Sequence, residues 1–184
     1  DLNLMIPILD PINNMRSYLY AFSTDIEGFF HNILLDKRDQ GIFRFFWYKD
    51  EEMTALRLYL FLAFIFGSSA SPTVTSFVLR KHSKLMRGVF SKEVCDTIER
   101  YFYVDDGSGG HNTIEGCKKL CDGLEEAMKR GGFTLSKWKF SHKILAEGRE
   151  QEEDGKERKI LGIVWNTDED TLSVAIEDEK FEKE

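Results

Sequence analysis

Cysteine is scarce: three in 184 residues, Cys95, Cys117 and Cys121. An odd count without a secretory leader pattern argues against a disulfide framework and for a reducing compartment. Cys117 and Cys121 are four apart, a spacing that zinc could use on a helix. No His or second Cys pair stands nearby at finger-like spacing, so the two are read as helix core. The four histidines, His31, His82, His111 and His142, share no pattern and are read as ordinary residues. Long apolar runs are also missing. The longest, "LYLFLAFIFG" from Leu58, is too short to span a bilayer, so no membrane partner is expected. The opening "DLNLMIPILD" has no basic region, is no signal peptide, and reads as a cut within a longer chain. There are no internal repeats or low-complexity tracts. Positive charge is in deficit: the net charge is −7. That is the wrong sign for a free-standing nucleic-acid binder, whose affinity comes mainly from neutralising phosphates, and any nucleic-acid reading must account for it.

The length suits one domain, 1–184, and a chain of this size buries roughly 70% of its unfolded surface. Fifteen Phe imply an aromatic-rich core.

Several elements can be placed. Residues 17–24, "SYLYAFST", read as a strand with Asp25 following at its end. "LDKRDQG" from Leu35 reads as a polar helical turn, and "IFRFFWY" from Ile42 as a second strand. Residues 56–66 read as a buried strand or helix, between which periodicity cannot choose. Ser71 is expected as an N-cap with Pro72 at the first helical position. Val74, Phe77, Val78, Leu85 and Met86 keep helical spacing after it. "TIERYFYV" from Thr97 reads as a strand. Asn112 or Thr113 opens another helix, with Ile114, Cys117, Leu120, Cys121, Leu124 and Met128 on its apolar face and Gly131-Gly132 at its end. "FTLSKWKF" and "KILGIVW" are further strands. The charged "EGREQEEDGKER" between them reads as a solvated loop, and "NTDED" as the turn into "TLSVAI". Helices alternate with hairpin-linked strands, so the fold class is α+β around a mainly antiparallel sheet, with two long helices on one face.

The chemistry concentrates in "YFYVDDGSGG", Tyr101 to Gly110. Asp105 and Asp106 are adjacent like charges at the end of an apolar run. Asp-Asp-Gly is also good turn chemistry, so the pair alone decides nothing. Asp25, about eighty residues earlier, likewise stands where an aromatic strand ends. Carboxylates on neighbouring strand ends are suited to Mg²⁺, which takes oxygen ligands from one or two carboxylates, waters and substrate phosphates. Two such ions about 4 Å apart can activate a hydroxyl and stabilise a leaving pyrophosphate.

"YVDD" resembles the hairpin of reverse transcriptases, and "STDIEGFFHNI" their first catalytic motif. "FGSSASP", "GGFTLSKWKF" and "KILGIVW" resemble the later motifs, in order. "DIEGFF", "RFFW", "FGSSASP", "YVDD", "GGFTLSKW" and "KILGIVWNTDEDTL" together resemble the BEL/Pao type of long-terminal-repeat retrotransposon, over residues 1 to about 175.

That resemblance implies a palm domain of an RNA-directed DNA polymerase. Residues 1–16 and 35–70 would be partly fingers-derived, and 159–176 a primer-grip hairpin. Asp25 and Asp105 match the two main metal-binding carboxylates and Asp106 the auxiliary one, for two Mg²⁺ or Mn²⁺ ions. Phe30 matches the aromatic that excludes a ribose 2′-OH, the lesser alternative being a plain core Phe. Phe66 stands where retroviral enzymes usually carry Gln. Gly67 matches the glycine under the incoming base pair, and Ser71 and Pro72 the helix start beside the template. Tyr103 and Val104 would lie against the primer end, with Leu161 and Gly162 at the primer grip. Lys137 or Lys139 matches a lysine near the pyrophosphate; sequence does not choose between them. Arg44 either contacts template phosphates or caps the sheet edge.

The implied partners are an RNA template, a DNA primer, deoxynucleoside triphosphates and the rest of a polyprotein (fingers, thumb, ribonuclease H). The implied location is the cytoplasm, within a virus-like particle. No ribonuclease H, integrase or Asp-Thr-Gly protease motif occurs in the chain. One departure stands out: Gly107, Ser108, Gly109 and Gly110 follow the aspartates where apolar residues are usual. Glycine weakens strands, so a short, bulged or mobile return strand is expected, which puts the placement of both aspartates in doubt. Two alternatives follow: an inactive relic kept as a binding module, and a palm-type nucleotide cyclase, against which Phe30 and the primer grip argue.

Overall fold

The computed structural model of the chain describes residues 6–149, 157–167 and 169–174. Its centre is a four-stranded sheet in the order β4-β5-β1-β6, formed by Phe102–Tyr103 (β4), Asp106–His111 (β5), Tyr20–Ile26 (β1) and Leu135–Phe140 (β6). Neighbouring strands are antiparallel throughout.

Side chains alternate across a strand, so β1 serves two cores at once. Phe22 and Ile26 point to one face, where helices Ser71–Met86 (α2), Lys92–Arg100 (α3) and Ile114–Arg130 (α4) supply Leu79, Val94, Ile98, Leu120, Leu124 and Met128. Trp138 and Phe140 of β6 complete that aromatic-rich core. Ala21 points to the opposite face, into a smaller cluster with Met15, Ile160 and Trp165. Met15 belongs to helix Leu9–Arg16 (α1), and the two others to a three-stranded sheet of Glu157–Ile160 (β7), Ile163–Asn166 (β8) and Thr171–Val174 (β9). Arg16 pairs with Asp170, fastening α1 to that sheet.

The expected long helices are present. Thr113 is the N-cap of α4, its hydroxyl accepting from Gly116 N–H at 3.1 Å. Cys117 and Cys121 are fully buried in the core, as their positions on the apolar face require. His82 is a buried strut between α2 and α4, its Nε2 lying 2.8 Å from the Ala127 carbonyl oxygen. Among the described residues, no helix is long and apolar enough to cross a membrane.

Several expectations are corrected. The first half of the strand expected from Thr97, Thr97–Arg100, is the end of α3, and β4 keeps only Phe102 and Tyr103. Ser91 caps α3 by accepting from Val94 N–H, and Val94, Cys95 and Ile98 share its buried side. Burial of that side carries the helix to Arg100, after which the aromatic Phe102 and Tyr103 keep their β conformation. The N-cap of α2 is Ala70; Ser71 is the first helical residue, and its hydroxyl donates to Ile65 O at 3.1 Å. Residues 56–66 are not a buried element. Leu56–Leu60 (β3) pairs with Arg44–Tyr48 (β2) as a hairpin whose β3 residues are all exposed. Asp25 lies within β1, one residue before its end. The helix α1 had no sequence-level expectation. Residues 1–5 and 175–184 and most of the charged "EGREQEEDGKER" segment lie outside the described residues.

The return strand is the largest correction. β5 spans six residues and pairs with β1 without a register break from Tyr20↔His111 to Asp25↔Asp106. Its glycines make room for aromatic rings. A Cβ on Gly107 would fall 2.4 Å from the Phe102 ring, and one on Gly109 2.7 Å from Phe22. Glycine weakens a strand in isolation, yet here it lets two core rings lie flat against the backbone.

Candidate active site

Strand register brings the first two carboxylates together. Asp25 and Asp106 are directly paired across β1 and β5, and directly paired residues project to the same face of a sheet. This is the face of Ala21 and Ser23, away from the three helices. Ser108, paired with Ser23, anchors it by donating to Pro11 O of α1 at 2.9 Å.

Asp105 arrives by way of a tight turn. Tyr103 pairs with Asp106, which leaves Val104 and Asp105 as a two-residue loop. Val104 has φ +58°, as the first central residue of a type II′ turn requires and as β-branched residues rarely accept. Such strain amounts to about 1–3 kcal/mol and concentrates at functional sites. The Ile26 N–H donates to Asp105 O at 2.9 Å, so the hairpin tip is clamped to the end of β1. Tyr103, Val104, Asp105 and Asp106 are all half-buried.

Burial is the main reason that Asp105 titrates above the usual carboxylate range, with the Asp25 charge adding to it. For Asp106, burial and then the charges of Asp105 and Asp25 push the value up to about 6, against the pull of Lys139 and Lys137. Asp105 and Asp106 therefore feel the neighbouring acid charges.

The two lysines reach this cluster from β6. The alternation Lys137, Trp138, Lys139, Phe140 puts the rings on the core side and the lysines opposite. Register adds a detail. Ser23 pairs with Lys139, but Asp25 pairs with Ser136, so β6 carries one extra residue. That extra residue is Lys137, at φ +51°. Thr24, fully buried between them, donates from Oγ1 to Ser136 O at 2.9 Å and holds the bulge. Lys137 Nζ lies 3.5 Å from Asp25 Oδ2. The structure thus gives Lys137 a direct contact with the cluster, while the Lys139 charge acts on Asp106.

Around the carboxylates, β1 runs into a short 3-10 turn, Phe29–Asn32, after Gly28 at φ +56°. Phe29 enters the core, and Phe30 remains half-buried. The next residue, His31, meets Phe66 edge-on with ring centroids 6.2 Å apart. Phe66 is 70% exposed, and Gly67 after it has φ +84° with open space around it. Ser71 is buried and holds the same loop through Ile65 O; Pro72 follows in the first turn. Leu161 and Gly162 form a separate patch. They are the positive-φ turn between β7 and β8, and Leu161 packs on the Met15–Trp165 cluster. Arg44 is exposed on β2, opposite Leu60. Lys137 as the bulge residue, Thr24 and the His31–Phe66 contact were not foreseen. Only the "SKWKF" alternation carried a signal for the first.

Among the described residues, no three Asp, Glu, His or Cys side chains converge closely enough to hold a metal ion by themselves. The donor chemistry nevertheless fits a hard divalent cation: oxygen donors only, partly desolvated, with mutual repulsion that a cation relieves.

Residues 4–165 match the family model for reverse transcriptase (RNA-dependent DNA polymerase). The chain belongs to that family. Two solved structures share its fold at 16% identity: a foamy viral protease–reverse transcriptase in complex with an RNA/DNA hybrid, with a TM-score of 0.59 over 93% of this chain, and the same kind of protein in complex with double-stranded DNA, with a TM-score of 0.58 over 92%. This chain spans 19% and 29% of those two chains. Comparison with curated proteins gives no match.

Proposed function

We propose that this chain is the palm of a retrotransposon reverse transcriptase of the BEL/Pao type, which extends a DNA primer on an RNA template from deoxynucleoside triphosphates. The observation that carries this is the register pairing of Asp25 with Asp106, with Asp105 clamped beside them by Ile26 N–H. The six ordered motifs support the subfamily.

Asp25 and Asp105 would hold two Mg²⁺ ions, with Asp106 as the auxiliary ligand. Bound there, the ions would lower the pKa of the primer 3′-OH and stabilise the pyrophosphate leaving group. Phe30 would close the sugar side of the nucleotide pocket, and Phe66 and Gly67 would floor the base pair. Lys137 and Lys139 supply positive charge on the side where a triphosphate must approach three acids. Leu161 and Gly162 would hold the primer strand. Template and primer would be recognised by helix shape and backbone rather than by sequence. The remaining polyprotein, in a cytoplasmic particle, would hold the duplex and the triphosphate. Of the two grounds for the inactive-relic alternative, the glycine-rich return strand does not support it, because that strand pairs with β1 along its whole length.

The test is primer extension on an RNA template, with the chain extended by its fingers and thumb segments. Asp25→Asn or Asp105→Asn should lower incorporation at least 10³-fold with melting temperature retained. The 184-residue chain alone should extend little, because positioning supplies up to about 7–11 kcal/mol of an enzyme's rate and the positioning parts are elsewhere. Undiminished incorporation by Asp105→Asn would sink the assignment.

A further inference from the structure

We propose that Lys137 is a tethered stand-in cation, whose ammonium occupies the Asp25 side of the carboxylate cluster and must be displaced when a divalent ion binds. This rests on the metal-holding role assigned above to Asp25, Asp105 and Asp106.

Three observations converge. Lys137 is the inserted residue of the β6 bulge, so it is aimed by backbone geometry rather than by side-chain rotamer alone. It adopts φ +51°, a conformation that a lysine holds only under constraint. Its Nζ lies 3.5 Å from Asp25 Oδ2, and its charge is felt at Asp105 and Asp106 as well. Three half-buried carboxylates repel one another unless a cation stands among them. An ammonium of one positive charge within reach meets part of that need; a divalent ion meets more, but takes the same oxygen. Lys137 is 55% exposed and Asp25 22%, so the ion pair is partly screened and its displacement is a modest penalty. The cluster would therefore stay ordered without metal and release Lys137 toward the triphosphate side once metal arrives.

The experiment is a Mn²⁺ titration of the 184-residue chain, with free Mn²⁺ read by electron paramagnetic resonance. Lys137→Gly is the informative variant, since glycine accepts positive φ without strain and preserves the bulge. It should bind Mn²⁺ roughly three- to tenfold more tightly than the unmodified chain. Lys137→Arg, which keeps the charge, should stay within about twofold, and Asp25→Asn should lose the site. Unchanged or weaker affinity in Lys137→Gly, with binding still lost in Asp25→Asn, overturns the stand-in role and leaves the metal site intact. Equal tightening by Lys139→Gln also overturns it, because the effect is then long-range charge and not displacement. Absence of saturable binding in both the unmodified chain and Lys137→Gly overturns the metal site and this inference together.

Discussion

Gly109 faces the ring of Phe22 across the β1–β5 pair, so closely that a methyl group on its α-carbon would lie 2.7 Å from the ring's Cζ atom. Phe22 is fully buried and has no room to retreat. The same relationship recurs between Gly107 and Phe102, at 2.4 Å. The spacing of glycines along the return strand is thus the imprint of two core aromatics on the strand that carries Asp106.

Gly109→Ala should therefore destabilise the chain by about 1–3 kcal/mol, the range of overpacking in a closed core. Gly41, with nothing within 4 Å of an added Cβ, is the comparison: Gly41→Ala should change stability by less than about 0.5 kcal/mol. Urea unfolding of the two variants checks this. Equal stabilities would mean that the β1–β5 approach is looser than described.

Asp106 makes stability depend on pH. Its pKa is raised in the fold from 3.8 to about 6, by burial first and by Asp105 and Asp25 next. Between those values the folded state binds more protons than the unfolded one, so stability falls as pH rises from about 4 to about 6. Asp105 is shifted in the same direction. With chelator present, Asp106→Asn should flatten this slope and raise stability at pH 7 by on the order of 1–2 kcal/mol, after allowance for its partial exposure. Melting curves across that pH window decide it. A parent protein that gains stability from pH 4 to 6, with the same slope in Asp106→Asn, would contradict the charge cluster.

Phe29 and Phe30 divide the labour of one short turn. Phe29 is buried and meets Phe133 edge-on at 5.2 Å between centroids, while Phe30 is half-buried. Phe29→Val should lose about 1–3 kcal/mol of stability. Phe30→Val should lose less, and in the extended enzyme it should admit ribonucleotides by removing the ring. Single-nucleotide incorporation with matched deoxy- and ribonucleoside triphosphates, alongside thermal melting, separates the two roles. Unchanged sugar discrimination in Phe30→Val would leave Phe30 as packing alone.

Much of this protein is determined locally. The apolar face of α4, a polar cap at Asn112 or Thr113 and the aromatic strand leading to Asp25 all follow from period and capping chemistry within a dozen residues. The order of the motifs likewise marks the family without any coordinates. Tertiary structure decided what depends on partners distant in sequence. It made a six-residue strand of Asp106–His111, because Phe22 and Phe102 occupy the space that side chains there would fill. It made Thr97–Arg100 the last turn of a helix, because one side of α3 is buried against the core. It left the aromatic β2–β3 hairpin exposed. It set Lys137 against Asp25, because the bulge that aims it arises only when β6 pairs with β1, 112 residues away in sequence. Propensity and period act along the chain; register and burial are set across it.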